Sequence, residues 1–246
     1  MSTSPASTMQ ALVLASAHGA LTPKLLPRPT PEAGQVLVRI QASGVNPLDT
    51  KLRAGAAEHA QQPLPAILGM DLAGVVDGVG PGVSRFKVGD EVYGFTGGIG
   101  GLQGSLAQYA AVDARLIARK PANLTMREAA ALPLVFITAW EGLADRANVG
   151  SGHKVLVHGG AGGVGHVAVQ LARARGAEVF ATGTAAQAGY IRSIGATPID
   201  YEKTSVEAYV SQFTEGKGFD IVYDTVGGPV LDASFLAARR YSGHVV

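Results

Sequence analysis

Residues 155–165 read Val155-Leu156-Val157-His158-Gly159-Gly160-Ala161-Gly162-Gly163-Val164-Gly165, and the fold turns on this stretch. Three apolar residues run into a GxGxxG carried by Gly160, Gly162 and Gly165, and an amphipathic segment follows. Alone, that spacing is a weak signal. Where it leaves a strand and opens a helix it has a mechanism. Gly160 is expected to make the tight turn, Gly162 to let backbone approach a pyrophosphate, and Gly165 to allow close helix–strand packing. The helix N-terminus then offers free N–H groups and the positive end of its dipole to phosphate. A glycine turn without a ligand is the bland alternative. The strand–turn–helix context favours a dinucleotide cradle, with Gly160, Ala161, Gly162, Gly163 and Val164 as its cofactor-facing residues.

Downstream, strand-like and helix-like segments alternate. Strands are expected at 155–157, 178–182, 198–200 and 219–224, with helices at 163–175, 186–194, 205–213 and 230–238. This spacing argues for parallel βαβ units in a Rossmann sheet. A last strand opens at His244, and the chain stops at Val246 as it begins. A domain rarely ends inside a core strand, so a C-terminally truncated chain is expected.

The second strand of such a unit decides between the two nicotinamide dinucleotides. An NAD site wants Asp or Glu about 20 residues beyond the first glycine to bind the ribose 2′-hydroxyl. This chain has Ala181-Thr182-Gly183-Thr184 there, and Glu178 lies at the opposite end of the strand. The absence of a carboxylate removes repulsion against a 2′-phosphate and leaves Thr184 as a hydroxyl donor. No Lys or Arg directly follows, and Arg192 falls on the next helix. NADPH is the favoured cofactor.

Upstream, the texture differs. Short apolar runs at 9–15, 35–42, 73–79 and 91–95 are separated by Pro and Gly clusters, as in a β-rich domain. Pro23, Pro27, Pro29 and Pro31 exclude a helix from the first connection. Six glycines between Gly94 and Gly104 suggest a mobile surface loop. Thr125 and Glu128 have the spacing of a capping box, and a longer apolar helix is expected from Leu134 to about Arg146. These signals divide the 246 residues into a flexible tail (1–8), a β-rich domain (9–124) and a dinucleotide-binding domain (125–246).

Composition narrows the classes further. Hydrophobic residues make up 47% of the chain and charged residues 16%, enough apolar material for a packed core. The net charge is +1 and the basic residues are scattered, so no nucleic-acid footprint is visible. No apolar run is long enough to span a bilayer. The Ser/Thr-rich start lacks a signal-peptide pattern, and cytoplasm is the default compartment. Cysteine is absent, which excludes disulfides, thiolate zinc sites and a cysteine nucleophile.

Several segments together carry a family resemblance. They are Ser43-Gly-Val-Asn46-Pro-Leu-Asp49, Leu68-Gly-Met-Asp71-Leu-Ala-Gly74, Val88-Gly-Asp90-Glu-Val92, Ala161-Gly-Gly-Val-Gly165 and Asp224-Thr-Val-Gly-Gly228. Their order across nearly the whole chain resembles the medium-chain dehydrogenase/reductase superfamily, in its zinc-free quinone oxidoreductase (zeta-crystallin-like) branch. The resemblance implies an α/β protein: a GroES-like, partly open β-barrel catalytic domain, then a Rossmann domain, with the family's C-terminal return missing. Zinc-dependent relatives have Cys where this chain has Asn46, His where it has Met70, and a third Cys near Leu134. None of these three serves as a zinc ligand here, and Asp71 alone cannot hold the metal. The expected metal-ligand set is therefore empty.

The same resemblance supplies site candidates, each with a structural alternative. Asn46 stands where relatives address nicotinamide and substrate, though it could simply cap a short turn at 47–52. Asp49 suits support of that turn. Lys51 replaces an active-site Tyr of some relatives; it could hydrogen-bond a developing enolate, although a solvated lysine is the commoner case. Thr138 matches a threonine touching nicotinamide or its ribose, against a buried helix hydroxyl bonded to the preceding turn. Gly183 and Thr184 close the second strand, Tyr201 matches an aromatic near the adenosine phosphate, and Val226 and Gly227 match a backbone-lined cofactor contact. Phe136 and Trp140 read as core, and His158 as a satisfied packing residue.

Together these imply hydride transfer from NADPH to a quinone or an α,β-unsaturated carbonyl without metal. Catalysis would come chiefly from positioning, with Asn46 and Lys51 as the catalytic candidates. A thioester enoyl reductase, or an NADPH-binding protein without turnover, are the rival readings. The expected partner is a small-molecule acceptor rather than nucleic acid or membrane, and family habit allows a homodimer.

Overall fold

The computed structural model describes residues 7–246. Most of the expected tail thus lies outside the described residues, and Thr8 already opens a strand. The chain forms two compact units that divide between Leu134 and Val135.

The first unit is built on two antiparallel sheets. Strands β1 (Thr8–Leu14), β2 (Leu21–Pro27) and β4 (Ala66–Ile67) form one, in the order β2-β1-β4. The other holds β3 (Gln35–Ser43), β5 (Asp71–Val79), β6 (Glu91–Phe95), β7 (Tyr109–Asp113) and β8 (Ile117–Arg119), in the order β7-β3-β5-β6-β8. Inward residues of this sheet, among them Val36, Val38, Leu72, Val76 and Val92, make one core cluster. A second, around Leu14, Leu52, Leu68 and Met70, lies under helix α1 (Pro47–Arg53). Pro47 opens that helix, where a missing N–H costs nothing.

Helix α2 (Met126–Ala130) follows, with the expected capping box: the Glu128 carboxylate accepts from the Thr125 N–H at 2.8 Å, and the Thr125 hydroxyl accepts from the Glu128 N–H at 3.2 Å. Ala129 and Ala130 bury against Ala73 of β5. This packing ties α2 to the first unit, so the division falls later in the chain than the texture change at 124/125 suggests. The glycine-rich stretch is not the loose loop expected. Gly98 N–H donates to Leu102 O, Gly100 N–H to Ala60 O and Gly104 N–H to Ile67 O, and Thr96, Gly97 and Gly98 are buried. Its glycines serve close backbone approach: a Cβ on Gly97 would lie 2.0 Å from the Gln103 carbonyl oxygen.

Helix α3 (Pro133–Trp140) leads into the second unit and passes into a π-helical turn, Glu141–Arg146. The α-helix expected over the whole stretch is interrupted where Gly142 meets a ring: a Cβ there would sit 2.3 Å from the Tyr223 ring. The unit then alternates β9 (Lys154–His158), α4 (Gly163–Ala174), β10 (Glu178–Gly183), α5 (Ala188–Ser193), β11 (Thr197–Asp200), α6 (Val206–Thr214), β12 (Ile221–Asp224), α7 (Pro229–Ala237) and β13 (His244–Val245). All pairings are parallel, in the order β11-β10-β9-β12-β13. Strand order reverses at β9, so the crevice past the carboxyl ends of β9 and β12 is the topological switch point, where such sheets bind ligands. Leu156, Phe180, Phe219 and Val222 are the heart of this unit's core. The observed architecture is the expected one, a GroES-like antiparallel unit and a Rossmann-like parallel sheet.

Candidate active site

In the second unit, the candidate cofactor residues gather at the carboxyl edge of the parallel sheet. Gly159, not Gly160, makes the turn: its φ is +71°, a left-handed conformation that favours glycine. Gly160 and Gly165 are needed for proximity instead. A Cβ on Gly160 would meet the Ala181 Cβ at 2.4 Å, and one on Gly165 would lie 2.1 Å from the Gly159 carbonyl oxygen. Gly162 is the N-cap of α4, so the N–H groups of Gly163 and Val164 fall in its first turn, where helix geometry supplies no partner. Ala161 completes the turn. The turn thus falls on Gly159, which the sequence reading did not single out, Gly160 serves close approach instead, and Gly165 has the packing role expected of it.

Two hydroxyls lock this turn to the neighbouring strands. Thr182, buried near the end of β10, accepts from the Gly159 N–H at 3.0 Å, and its oxygen lies 3.3 Å from His158 Nδ1. Thr225 donates to the His158 carbonyl at 2.7 Å. His158 is buried but only half satisfied, because its Nε2 has no partner among the described residues. Burial holds its pKa below the ordinary histidine value, against the pull of Asp224. It is thus a neutral ring with one orphan nitrogen rather than the satisfied packing residue expected.

Gly183 and Thr184 close β10. A Cβ on Gly183 would press on Ile191 of α5 at 2.6 Å. The Thr184 N–H donates to the Gln187 side-chain oxygen at 3.0 Å. Tyr201, exposed after β11, donates its N–H to the Gly183 carbonyl at 3.3 Å, which brings those two predicted residues together. After β12, Asp224 Oδ1 accepts from the N–H groups of Val226 (2.8 Å) and Gly227 (2.9 Å) and fixes that loop. Thr138 is exposed on α3, not buried, and its carbonyl accepts from the Tyr223 hydroxyl at 2.9 Å. Phe136 and Trp140 are not core residues: they are 44% and 39% exposed and stack on one another, with centroids 5.9 Å apart.

In the first unit, Asn46 is buried at the N-cap of α1, and its side-chain Nδ2 donates to Asp71 Oδ2 at 2.9 Å. The other Asp71 oxygen accepts from the Leu134 N–H at 3.0 Å. Asp49 supports the turn with both oxygens, accepting from the N–H of Asn46 (2.8 Å) and of Gly69 (3.1 Å). Burial pushes the Asp71 pKa up to about 6, with the nearby Asp49 charge adding to the effect. Lys51 lies exposed on the same helix.

The donor chemistry at these positions does not suit zinc. Met70 is fully buried in the apolar cluster under α1, Asp71 is committed to Asn46 and Leu134, and no group of three His, Cys, Asp or Glu that could hold a metal occurs among the described residues. A dinucleotide fits better, since the cradle at 159–165 would be filled by any Cβ at Gly160 or Gly165 and presents a helix N-terminus.

Comparison with known proteins agrees with this geometry. Residues 32–122 match the alcohol dehydrogenase GroES-like domain, and residues 163–246 match the zinc-binding dehydrogenase family. The structure superposes on an alcohol dehydrogenase superfamily protein from Novosphingobium aromaticivorans with a TM-score of 0.95 at 64% identity, covering 97% of this chain and 72% of that one. The chain belongs to the medium-chain dehydrogenase/reductase superfamily. Within this superfamily it is also similar to the quinone oxidoreductase from Coxiella burnetii, with a TM-score of 0.82 and 30% identity over 97% of this chain and 74% of that one. It is 44% identical over 200 residues to the 2-methylene-furan-3-one reductase of Solanum lycopersicum, covering 78% of this chain and 50% of the relative. The chain thus spans about half the length of that curated relative.

Thr182, Thr225 and the Asn46–Asp71 bond are the parts of the site that sequence reasoning missed. Thr182 did leave a signal, as the one hydroxyl in the apolar run of β10. The partners of Thr225 and Asp71 lie 67 and 25 residues away in sequence, and no local pattern announces them.

Proposed function

We propose that this chain carries an NADPH-dependent reductase activity on quinones or α,β-unsaturated carbonyl compounds, and that it works without a metal. The observation that carries the reading is the carboxyl end of β10. Gly183 and Thr184 stand there, beside the glycine turn, where a 2′-hydroxyl-binding site would need a carboxylate. A 2′-phosphate would meet the Thr184 hydroxyl, and the Asp200 carboxylate, on the residue paired with Gly183, is bridged to Lys203 at 3.8 Å. Gly160, Ala161, Gly162, Gly163 and Val164 would hold the pyrophosphate, Tyr201 the adenosine end, and Thr138, Val226 and Gly227 the nicotinamide half. The bound cofactor would supply the hydride.

Asn46 is assigned to the nicotinamide and substrate. Lys51, exposed on α1, is assigned to an acceptor oxygen. Proton delivery is assigned to water. The relatives support the acceptor class: one is named for a methylene-furanone and one for quinones. A cytoplasmic enzyme able to form a homodimer is the setting we assign; among the described residues no helix is long and apolar enough to cross a membrane.

The test is steady-state oxidation of NADPH with 9,10-phenanthrenequinone and with a panel of enones and thioester enoyl substrates. Turnover with quinone or enone supports the proposal. Tight NADPH binding with no acceptor reduced would leave a binding protein, and turnover confined to thioesters would favour an enoyl reductase.

A further inference from the structure

Asn46 offers two kinds of hydrogen-bonding group, and its usefulness in the proposed site depends on which one faces a ligand. Its surroundings decide this. Its main chain is tied to Asp49, with the Asn46 N–H donating to Asp49 Oδ2 at 2.8 Å and the Asp49 N–H to the Asn46 carbonyl at 3.0 Å, while the side-chain Nδ2 donates to Asp71 Oδ2 at 2.9 Å. Asp71 itself has little freedom. Its other oxygen takes the Leu134 N–H at 3.0 Å, and its own carbonyl accepts from the Gly44 N–H at 3.0 Å. A Cβ on Gly44 would lie 2.9 Å from the Asp71 Cβ and 2.4 Å from the Ala130 carbonyl oxygen, so no side chain fits beside it. Asn46 and Asp71 are 5% and 1% exposed, which leaves bulk water no part in the bond.

We propose that Asp71 is a positioning residue: its carboxylate holds the Asn46 amide in one orientation and leaves the second Nδ2 hydrogen as the donor presented to an acceptor carbonyl or the nicotinamide amide. This rests on the reading of Asn46 as an active-site residue. The ionised form of Asp71 is required. A proton on the oxygen facing Leu134 would oppose a backbone N–H that cannot turn away, so a proton must settle on Oδ2, where it opposes the Asn46 amide. Asp49 on α1 is the charged group facing Asp71. The residues of β3 and β6 that pair with this end of β5 are Ser43 and Phe95, and Arg127 and Glu128 of α2 are exposed. Asp71 is neutral below about pH 6 and ionised above it.

The substitution D71N tests this without removing volume. Its side-chain oxygen must serve Leu134, which leaves an NH₂ facing the NH₂ of Asn46, and the Asn46 amide is displaced. In wild-type protein, kcat/KM for NADPH-dependent reduction should fall as pH drops through about 6. In D71N it should be roughly 10- to 100-fold lower at neutral pH and lack that limb. A readout independent of turnover is the side-chain amide resonance pair of Asn46, followed by 15N NMR from pH 5 to 8. It should show an inflection in wild-type protein that is absent in D71N. If D71N leaves kcat/KM within twofold, or the Asn46 amide neither titrates nor shifts on substitution, the positioning role is overturned. A wild-type protein that reduces no acceptor while its Asn46 amide still titrates would instead overturn the functional reading and leave the Asp71–Asn46 coupling standing.

Discussion

At the scale of single residues, buried Asp71 and Thr182 bear on stability in ways that denaturation can measure. Asp71 is buried and its pKa rises from 3.8 to about 6, so the folded state binds a proton more tightly than the unfolded chain. The sign follows: below pH 3.8 the group costs nothing, and its contribution to stability falls as pH rises through that value, levelling off above about 6. A shift of this size corresponds to about 3 kcal/mol. The stability of D71N relative to wild type, from urea denaturation, should therefore increase between pH 4 and 6 and then plateau. Thr182 makes the opposite kind of claim. In Thr182→Val the Gly159 N–H loses its acceptor, which should cost about 1–3 kcal/mol and weaken NADPH binding. Gly165→Ala puts a methyl group against the Gly159 carbonyl, a backbone atom that cannot step aside. We expect a loss of about 1–3 kcal/mol in the same denaturation assay and no measurable NADPH binding by fluorescence titration.

At the scale of elements, legibility followed locality. The β9–turn–α4 unit was readable because strand, glycines and amphipathic helix are contiguous, and the Thr125–Glu128 box because its bonds span three residues. Strand β2 was not readable: Pro23 and Pro27 argue against a ladder, yet β2 is an edge strand paired only with β1, where a missing donor is tolerated. Strand β7, Tyr109-Ala-Ala-Val-Asp113, has too little apolar contrast to show its period. The stretch from Gly97 to Gly104 misled for a different reason. Glycine permits a mobile loop, but it equally permits the tight backbone contacts found here, and composition cannot separate the two. Hydrogen exchange can. The amides of Gly100 and Gly104 should exchange at least about 100-fold more slowly than in an unstructured peptide. Exchange at the free-peptide rate would contradict the described bonds.

At the scale of the whole molecule, the chain carries two halves of one superfamily pattern, and the residues assigned to function are shared between them. The residues proposed to face a nucleotide belong to the parallel-sheet unit, while Asn46, Asp71 and Lys51 belong to the antiparallel unit. Sequence reading named the glycine turn from a local motif, and Asn46 and Lys51 from the family resemblance. It did not find the bonds that hold them in place, such as Thr182 to Gly159 or Asn46 to Asp71, because those join distant segments. The central claim remains the one that residues 155–165 raise: this chain holds a nicotinamide dinucleotide on its glycine turn, and the 2′-phosphorylated form in preference. Its most direct test is the dissociation constant of NADPH and of NADH, measured side by side by calorimetry on the wild-type chain. NADPH should bind at least about tenfold tighter, a difference of about 1.4 kcal/mol. Equal affinity or a preference for NADH would contradict the reading of Gly183 and Thr184, and failure to bind either would contradict the cradle itself.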